Sequence, residues 1–337
     1  MSEFSRRSVL GMGSAMALAA GVARAADIAP ASDTIAPAAD TIALWPGKAP
    51  GDIGTVITRR IEERSHDPSS HDRWIFGVAR PELVVFRPAR PNGSAALVIP
   101  GGSYVFVAYD NEGAEQARWL NALGVTVFVL FYRLPSEGWA RREDVPLQDA
   151  QRAMRIIRRD AQRFGVDPTK IAVLGFSAGG HLAGLAALAP GGGADDTVDF
   201  AVLGYAITSM ETETYRPARM ILLGEDATPQ LRRETSLNTL VTESSPPFFL
   251  WHTAEDPYVP PEHTYRFAAS LAAHAVPHTA HVFAHGPHSL GLARGSGGAA
   301  AWTGLAASWI DEQRHGGLPL ARRHSELHPR GDHEGPV

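Results

Sequence analysis

The sequence predicts an α/β fold in which a mostly parallel central sheet carries helices on both faces, with at most a small cap. Three observations point there. Short β-rich runs alternate with helix-like stretches along most of the 337 residues, the pattern of a parallel sheet built by crossover connections. Several runs are apolar throughout, as strands buried on both faces must be. Gly124, Gly165 and Pro168 stand at the joins between them, where turns are needed.

The strand-like runs are 83–86, 96–99, 125–131, 171–174, 200–205, 248–251 and 279–283. The helix-like stretches are 112–122, 147–164, 178–189, 262–273 and 299–311. The least regular part, 209–245, holds a short apolar piece at 220–223 and reads as a small cap or an edge loop. No internal repeat appears, so one α/β domain over residues 43–313 is the simplest organisation.

Composition narrows the chemistry. The chain is 44% hydrophobic and 20% charged, ordinary for a globular protein and unlike a collagen, a coiled coil or a mostly disordered chain. It contains no cysteine, which excludes a disulfide framework, a thiolate metal site and a thiol nucleophile. The net charge of -5 gives no basic character that would suit nucleic acid. Arginine outnumbers lysine heavily, the only lysines being Lys48 and Lys170; we take this as a mark of base composition.

The ends read differently from the middle. Ser5-Arg6-Arg7-Ser8-Val9-Leu10 precedes a mild Gly/Ala-rich run ending in Ala23-Arg24-Ala25. Paired arginines, a weak apolar core and a small-x-small cleavage pattern resemble a twin-arginine export signal over residues 1–25. The run is too short for a convincing membrane span. Residues 26–42 read as a flexible leader, and residues 314–337, rich in Gly, Pro, Arg and His, as a disordered tail. The expected location is periplasmic or secreted, with no membrane span in the mature form.

The strongest chemical signal lies at 171–181, Ile-Ala-Val-Leu-Gly-Phe-Ser-Ala-Gly-Gly-His. Within it Gly175-Phe176-Ser177-Ala178-Gly179 is a G-x-S-x-G pattern between a β run and an Ala/Leu-rich helix. A nucleophile elbow needs this context: the sharp strand-to-helix turn strains the serine, and small neighbours at Gly175 and Gly179 let the chain pass. Ser177 would project at a helix N-terminus, where free N–H groups favour developing negative charge.

An oxyanion site needs a second backbone donor from the loop after an early central strand. Pro100-Gly101-Gly102-Ser103-Tyr104 follows the strand at 96–99. Gly102 or Ser103 would give one N–H and Ala178 the other.

The acid and base should follow in that order. Asp256, in His252-Thr253-Ala254-Glu255-Asp256-Pro257-Tyr258-Val259-Pro260, comes just after an apolar strand, with Glu255 as its competitor. His278, His281, His285 and His288 are candidate bases. His288 is preferred and His285 comes second, because His288 sits far enough beyond the strand to reach back over Ser177. In these roles His288 takes the Ser177 proton, and Asp256 fixes its tautomer. The four histidines cross from strand to loop and would not share a face, so no metal site is expected, and no cofactor.

Gly-Phe-Ser-Ala-Gly-Gly-His, the Pro-Gly-Gly-Ser-Tyr loop, Phe131-Tyr132-Arg133-Leu134-Pro135 and Pro246-Pro247-Phe248-Phe249-Leu250-Trp251-His252 together resemble the esterase branch of the α/β-hydrolases. The acetylxylan-esterase-like group is the nearest match, and the entry segment Leu44-Trp45-Pro46-Gly47-Lys48-Ala49-Pro50-Gly51 resembles it too. The likeness spans about residues 44–310. The glycine loop departs from the His-Gly-Gly-Gly of lipases, with Pro for His and Ser for the last Gly. The resemblance implies a triad at Ser177, Asp256 and His288 and a substrate that is an acetyl ester of oligosaccharide or polysaccharide. A peptidase or general carboxylesterase on the same fold, and a non-catalytic binding protein on the same scaffold, are the alternatives.

Secondary readings complete the expectations. Tyr132-Arg133 braces the active-site edge; Trp45, Trp139 and Tyr104 pack as aromatics rather than stack on sugar; Asp110 and Glu112 make an ion pair or a helix cap; Asp149 faces solvent or the elbow side of its helix.

Overall fold

The computed structural model describes residues 40–189, 193–211 and 214–316. The export signal at 1–25, most of the leader and the tail from residue 317 onward lie outside the described residues.

Eleven strands occur among them, in two sheets. In chain order they are β1 (Asp40–Ala43), β2 (Arg60–Glu63), β3 (Arg73–Phe76), β4 (Glu82–Phe86), β5 (Ala95–Ile99), β6 (Val107–Ala108), β7 (Thr126–Phe131), β8 (Ile171–Phe176), β9 (Phe200–Gly204), β10 (Phe248–Thr253) and β11 (His278–Phe283). The large sheet has the order β1-β4-β7-β5-β8-β9-β10-β11. Its first two pairings, β1 with β4 and β4 with β7, are antiparallel. From β7 across to β11 every pairing is parallel.

The central strands β5, β7, β8, β9 and β10 are buried along their whole length. Their Ala, Val, Leu, Ile and Phe content suits a sheet covered on both faces. At the edges, β1 and β11 are only partly buried. Helices follow the parallel strands at 115–122, 145–159, 177–188, 262–273 and 302–314. Trp302, at the start of the last of these, stacks on Trp251 of β10 at 4.7 Å between ring centroids, and both are fully buried.

The expected strands and helices all appear, with shifts of one to a few residues at their ends. Four short strands were not anticipated. β1 takes up residues 40–42 of the supposed flexible leader: it pairs with β4 and so is ordered by the sheet edge. β2, β3 and β6 form a separate three-stranded sheet. Their rings pack with arginines rather than with a core: Arg64 lies over Trp74, Arg60 over Phe76, and Trp74 stacks on Phe106 at 3.8 Å. At the other end, Arg314 closes the last helix and pairs with Asp311, so the helix extends into the supposed tail.

The irregular 209–245 region folds as three short helices at Arg216–Leu223, Pro229–Glu234 and Leu237–Leu240. It rests against the helix at 177–188. His181 Nε2 donates to the Thr235 carbonyl at 2.7 Å, and a Cβ on Gly184 would run into the Leu237 side chain.

Because β5, β8, β9, β10 and β11 run the same way, their C-terminal ends share one edge of the sheet. The loops after Ile99, Phe176, Gly204, Thr253 and Phe283 therefore converge there, as open α/β sheets require of a site.

Candidate active site

Ser177 begins the helix directly after β8, with φ of +51°. A serine rarely adopts this left-handed conformation, and holding it there costs about 1–3 kcal/mol. The turn is tolerated because its neighbours are small. A Cβ on Gly179 would run into the carbonyl oxygens of Ile99 and Pro100, and one on Gly175 into the Gly179 carbonyl. The elbow helix is thus pressed onto the loop after β5, and Ser177 stands between them, 5% exposed.

His288 reaches Ser177 from the loop after β11. Its Nε2 lies 2.8 Å from Ser177 Oγ, and its Nδ1 lies 2.6 Å from Asp256 Oδ2. A carboxylate can only accept, so Nδ1 carries the proton and Nε2 is free to accept from the Ser177 hydroxyl. Asp256 sits in the turn after β10. Its Oδ1 accepts the backbone N–H groups of Tyr258 and Val259, each at 2.9 Å. His252 Nε2 lies 3.3 Å from Oδ2 while donating to the Val259 carbonyl at 2.8 Å. Burial pushes the Asp256 carboxyl up, but hydrogen bonds from His252, His288 and Val259 outweigh it and hold the group well below the usual carboxylate range.

The remaining candidates lie elsewhere. His285 pairs with Glu255 at 2.9 Å in open solvent. His278 contacts the Val276 carbonyl, and His281 lies against Phe249, where burial lowers its pKa.

Gly102, Ser103 and Tyr104 all have positive φ, at 118°, 57° and 63°. A side chain on Gly102 would collide with Phe106, so glycine is needed there. Among the described residues the Gly102 and Ser103 N–H groups have no backbone or side-chain acceptor, whereas the Gly101 N–H is taken by Glu112. Ala178 lies in the first turn of its helix, where N–H groups lack intrahelical partners. A Cβ on Gly101 would come within 3.0 Å of the Ser177 Cβ, which places the whole loop against the serine.

Several secondary expectations change. Of the two faces open to Asp149, the solvated one is excluded: the residue is fully buried, accepting from Arg133 through both oxygens and from Trp45 Nε1 at 2.8 Å. Arg133 needs that partner because it is itself fully buried. Asp110 does form an ion pair, with Arg73 at 2.7 Å. Glu112 does not; it accepts from Gly101 N–H and from the Tyr205 hydroxyl. Tyr104 is fully buried and its hydroxyl lies 2.7 Å from His181 Nδ1, while Trp139 is nearly buried. The exposed ring beside the site is Tyr258, 59% exposed and 5.9 Å edge-on from His288. Sequence reading missed Tyr205 and Tyr258 and gave Glu112 a different role. An acid set among Gly113, Ala114 and other small residues on an inward helix face was the available signal for Glu112.

A parallel sheet with a strained serine at the strand-to-helix turn, in line with a histidine and an aspartate from later loops, defines an α/β-hydrolase. The chain belongs to the BD-FAE family, whose model matches residues 85–271. It is 32% identical over 190 residues to endo-1,4-beta-xylanase B of Butyrivibrio fibrisolvens, covering 54% of this chain and 30% of that protein. It is 30% identical over 184 residues to an acetylxylan esterase of Xylanibacter ruminicola, covering 53% of this chain and 37% of that protein. The match thus spans about a third of the length of these curated relatives. Among solved structures, an acetyl ester-xyloside bifunctional hydrolase from Caldicellulosiruptor lactoaceticus superposes with a TM-score of 0.68 at 32% identity, covering 82% of this chain and 97% of that one.

Proposed function

We propose that the protein is a serine esterase that removes short acyl groups, acetyl above all, from carbohydrate such as acetylated xylan. The observation that carries this reading is the continuous hydrogen-bonded line from Ser177 Oγ through His288 to Asp256, set beside the unused amides of Gly102 and Ser103. The relatives' names, acetylxylan esterase and acetyl ester-xyloside hydrolase, support the choice of substrate.

The reaction proceeds in two halves. Ser177 Oγ attacks the ester carbonyl carbon while His288 Nε2 takes the hydroxyl proton. The carbonyl oxygen becomes an oxyanion and faces the Ala178 N–H and the N–H of Gly102 or Ser103. Collapse breaks the carbon–oxygen bond to the sugar, and His288 passes its proton to that leaving oxygen. This frees the alcohol and leaves acetyl-Ser177. Water then attacks the acyl carbon, His288 takes one of its protons, and the second collapse returns that proton to Ser177 and releases acetate. Throughout, Asp256 keeps the imidazole oriented and offsets its transient positive charge.

Export belongs to the same reading. A twin-arginine signal over residues 1–25 would deliver the folded chain to the periplasm or beyond. A cysteine-free protein needs no oxidative folding there.

Acetate release from a panel of acetylated xylans and oligosaccharides, run beside p-nitrophenyl acetate and aminoacyl substrates, tests the reading. The expected result is acetate release from the glycans, abolished in Ser177→Ala. Cleavage of the aminoacyl substrates alone would overturn it in favour of a peptidase.

A further inference from the structure

The site contains a buried carboxylate that the triad does not use. Glu112 lies in a π-helical turn, Asp110–Ala114, a local geometry common at functional sites, and is 1% exposed. Its Oε2 accepts the Gly101 N–H at 2.8 Å and its Oε1 accepts the Tyr205 hydroxyl at 2.9 Å. That hydroxyl in turn accepts the Gly291 N–H at 3.0 Å. The adjacent Asn111 donates its Nδ2 to the Ser289 carbonyl at 2.8 Å. The Tyr205 ring stands edge-on to the His288 ring, 5.0 Å between centroids.

These bonds have a common consequence. Gly101 immediately precedes the Gly102 and Ser103 amides, and Ser289 and Gly291 lie one and three residues after His288. One turn of helix therefore grips both loops that must meet over Ser177. Both Glu112 oxygens receive hydrogens, which suits the ionised form. Burial leaves this carboxyl raised above its usual range, against the lowering by a charged His288, the Gly101 N–H and the Tyr205 hydroxyl. A charge in such a place costs stability, so a neutral core residue would serve the fold at least as well.

We propose that Glu112 is a positioning residue for the acyl transfer: it sets the oxyanion amides through Gly101 and the His288 loop through Tyr205. The inference rests on the esterase reading above. It predicts that the two loops lose their register together when the carboxylate is changed.

Glu112→Gln keeps the size of the side chain but turns an NH₂ group toward one of its two donors. The expected result is a folded protein whose kcat on p-nitrophenyl acetate falls about 100-fold while KM stays within about threefold, because the lost interaction matters in the transition state. Tyr205→Phe cuts only the arm to the His288 loop and should lower kcat about tenfold. Combining the two should cost no more than Glu112→Gln alone, since Glu112 reaches the His288 loop through Tyr205. Amide hydrogen exchange gives a second readout: Gly101 and Gly291 both lose protection in Glu112→Gln, and only Gly291 does so in Tyr205→Phe.

A folded Glu112→Gln with wild-type kcat, or with unchanged exchange at both glycines, overturns the proposal. If Glu112→Gln fails to fold, Tyr205→Phe carries the kinetic and exchange tests of the His288 arm, and wild-type kcat with unchanged Gly291 exchange there overturns the proposal. A wild-type protein inactive on every ester would sink the esterase reading instead, and the exchange data would still decide whether Glu112 ties the two loops.

Discussion

His288 with Asp256 and His285 with Glu255 are one chemical pair built twice, from neighbouring residues of the same two loops. Each joins Nδ1 to a carboxylate oxygen, at 2.6 Å and 2.9 Å respectively. Their surroundings differ sharply. The His285 and Glu255 side chains are 83% and 59% exposed, against 11% and 0% for His288 and Asp256. Asp256 has two further backbone donors and His252 behind it; Glu255 has only a long contact from Gly286 N–H besides His285. Above all, the far nitrogen of His288 meets Ser177. On the proposed esterase reading, a histidine–carboxylate pair becomes machinery through its third partner and its shelter from solvent, since an exposed pair contributes little.

The first way to sharpen the contrast is to neutralise each acid. Asp256→Asn should lower kcat on p-nitrophenyl acetate by about 10³- to 10⁴-fold, because the imidazole loses its fixed tautomer. Glu255→Gln should leave kcat within about twofold. Equal losses in the two variants, read by steady-state kinetics, would erase the distinction.

A third acid–base pair separates shelter from chemistry. Arg133 and Asp149 are as buried as the triad but hold no nucleophile. Asp149→Ala leaves a buried guanidinium unpaired and should cost about 3–5 kcal/mol of stability, seen as a lower urea midpoint. An unchanged midpoint would mean that this pair does not brace the sheet edge.

The smallest expected effect concerns pH. Burial pushes the His181 pKa down to about 4, from 6.5. The unfolded chain therefore takes up a proton below pH 6.5 that the folded chain refuses until about pH 4. The stability from the neutral ring is full above pH 6.5 and is lost as pH falls toward 4, by about 3 kcal/mol in all. Urea midpoints across that window should fall in the wild type and fall less in His181→Gln. Parallel curves for the two proteins would contradict this assignment.

Ser177 and the parallel sheet were legible because their signals are local. An elbow needs its small residues at fixed spacing, and a doubly covered strand needs an unbroken apolar run. Chain order and distance from their strands pointed to Asp256 and His288, and the fold puts these two, not Glu255 and His285, in one hydrogen-bonded line with Ser177. The choice between those pairs depends on burial, which the spacing of neighbouring residues does not encode. Glu112 and Asp149 were misjudged for a related reason. Each is an acid on a helix with a partner from far along the chain, Tyr205 for Glu112 and Trp45, besides the nearer Arg133, for Asp149. The small sheet was missed because its strands are four residues or fewer and its rings are partly covered by arginines, Arg64 over Trp74 and Arg60 over Phe76. β1 hid in an Ala/Asp/Thr stretch because an edge strand needs only one partner.

The most direct measurement compares His288→Ala with His285→Ala on p-nitrophenyl acetate under identical conditions. The account predicts a loss in kcat of about 10⁴-fold or more for His288→Ala and a change within about twofold for His285→Ala. Near wild-type turnover in His288→Ala, or a collapse in His285→Ala, would contradict it.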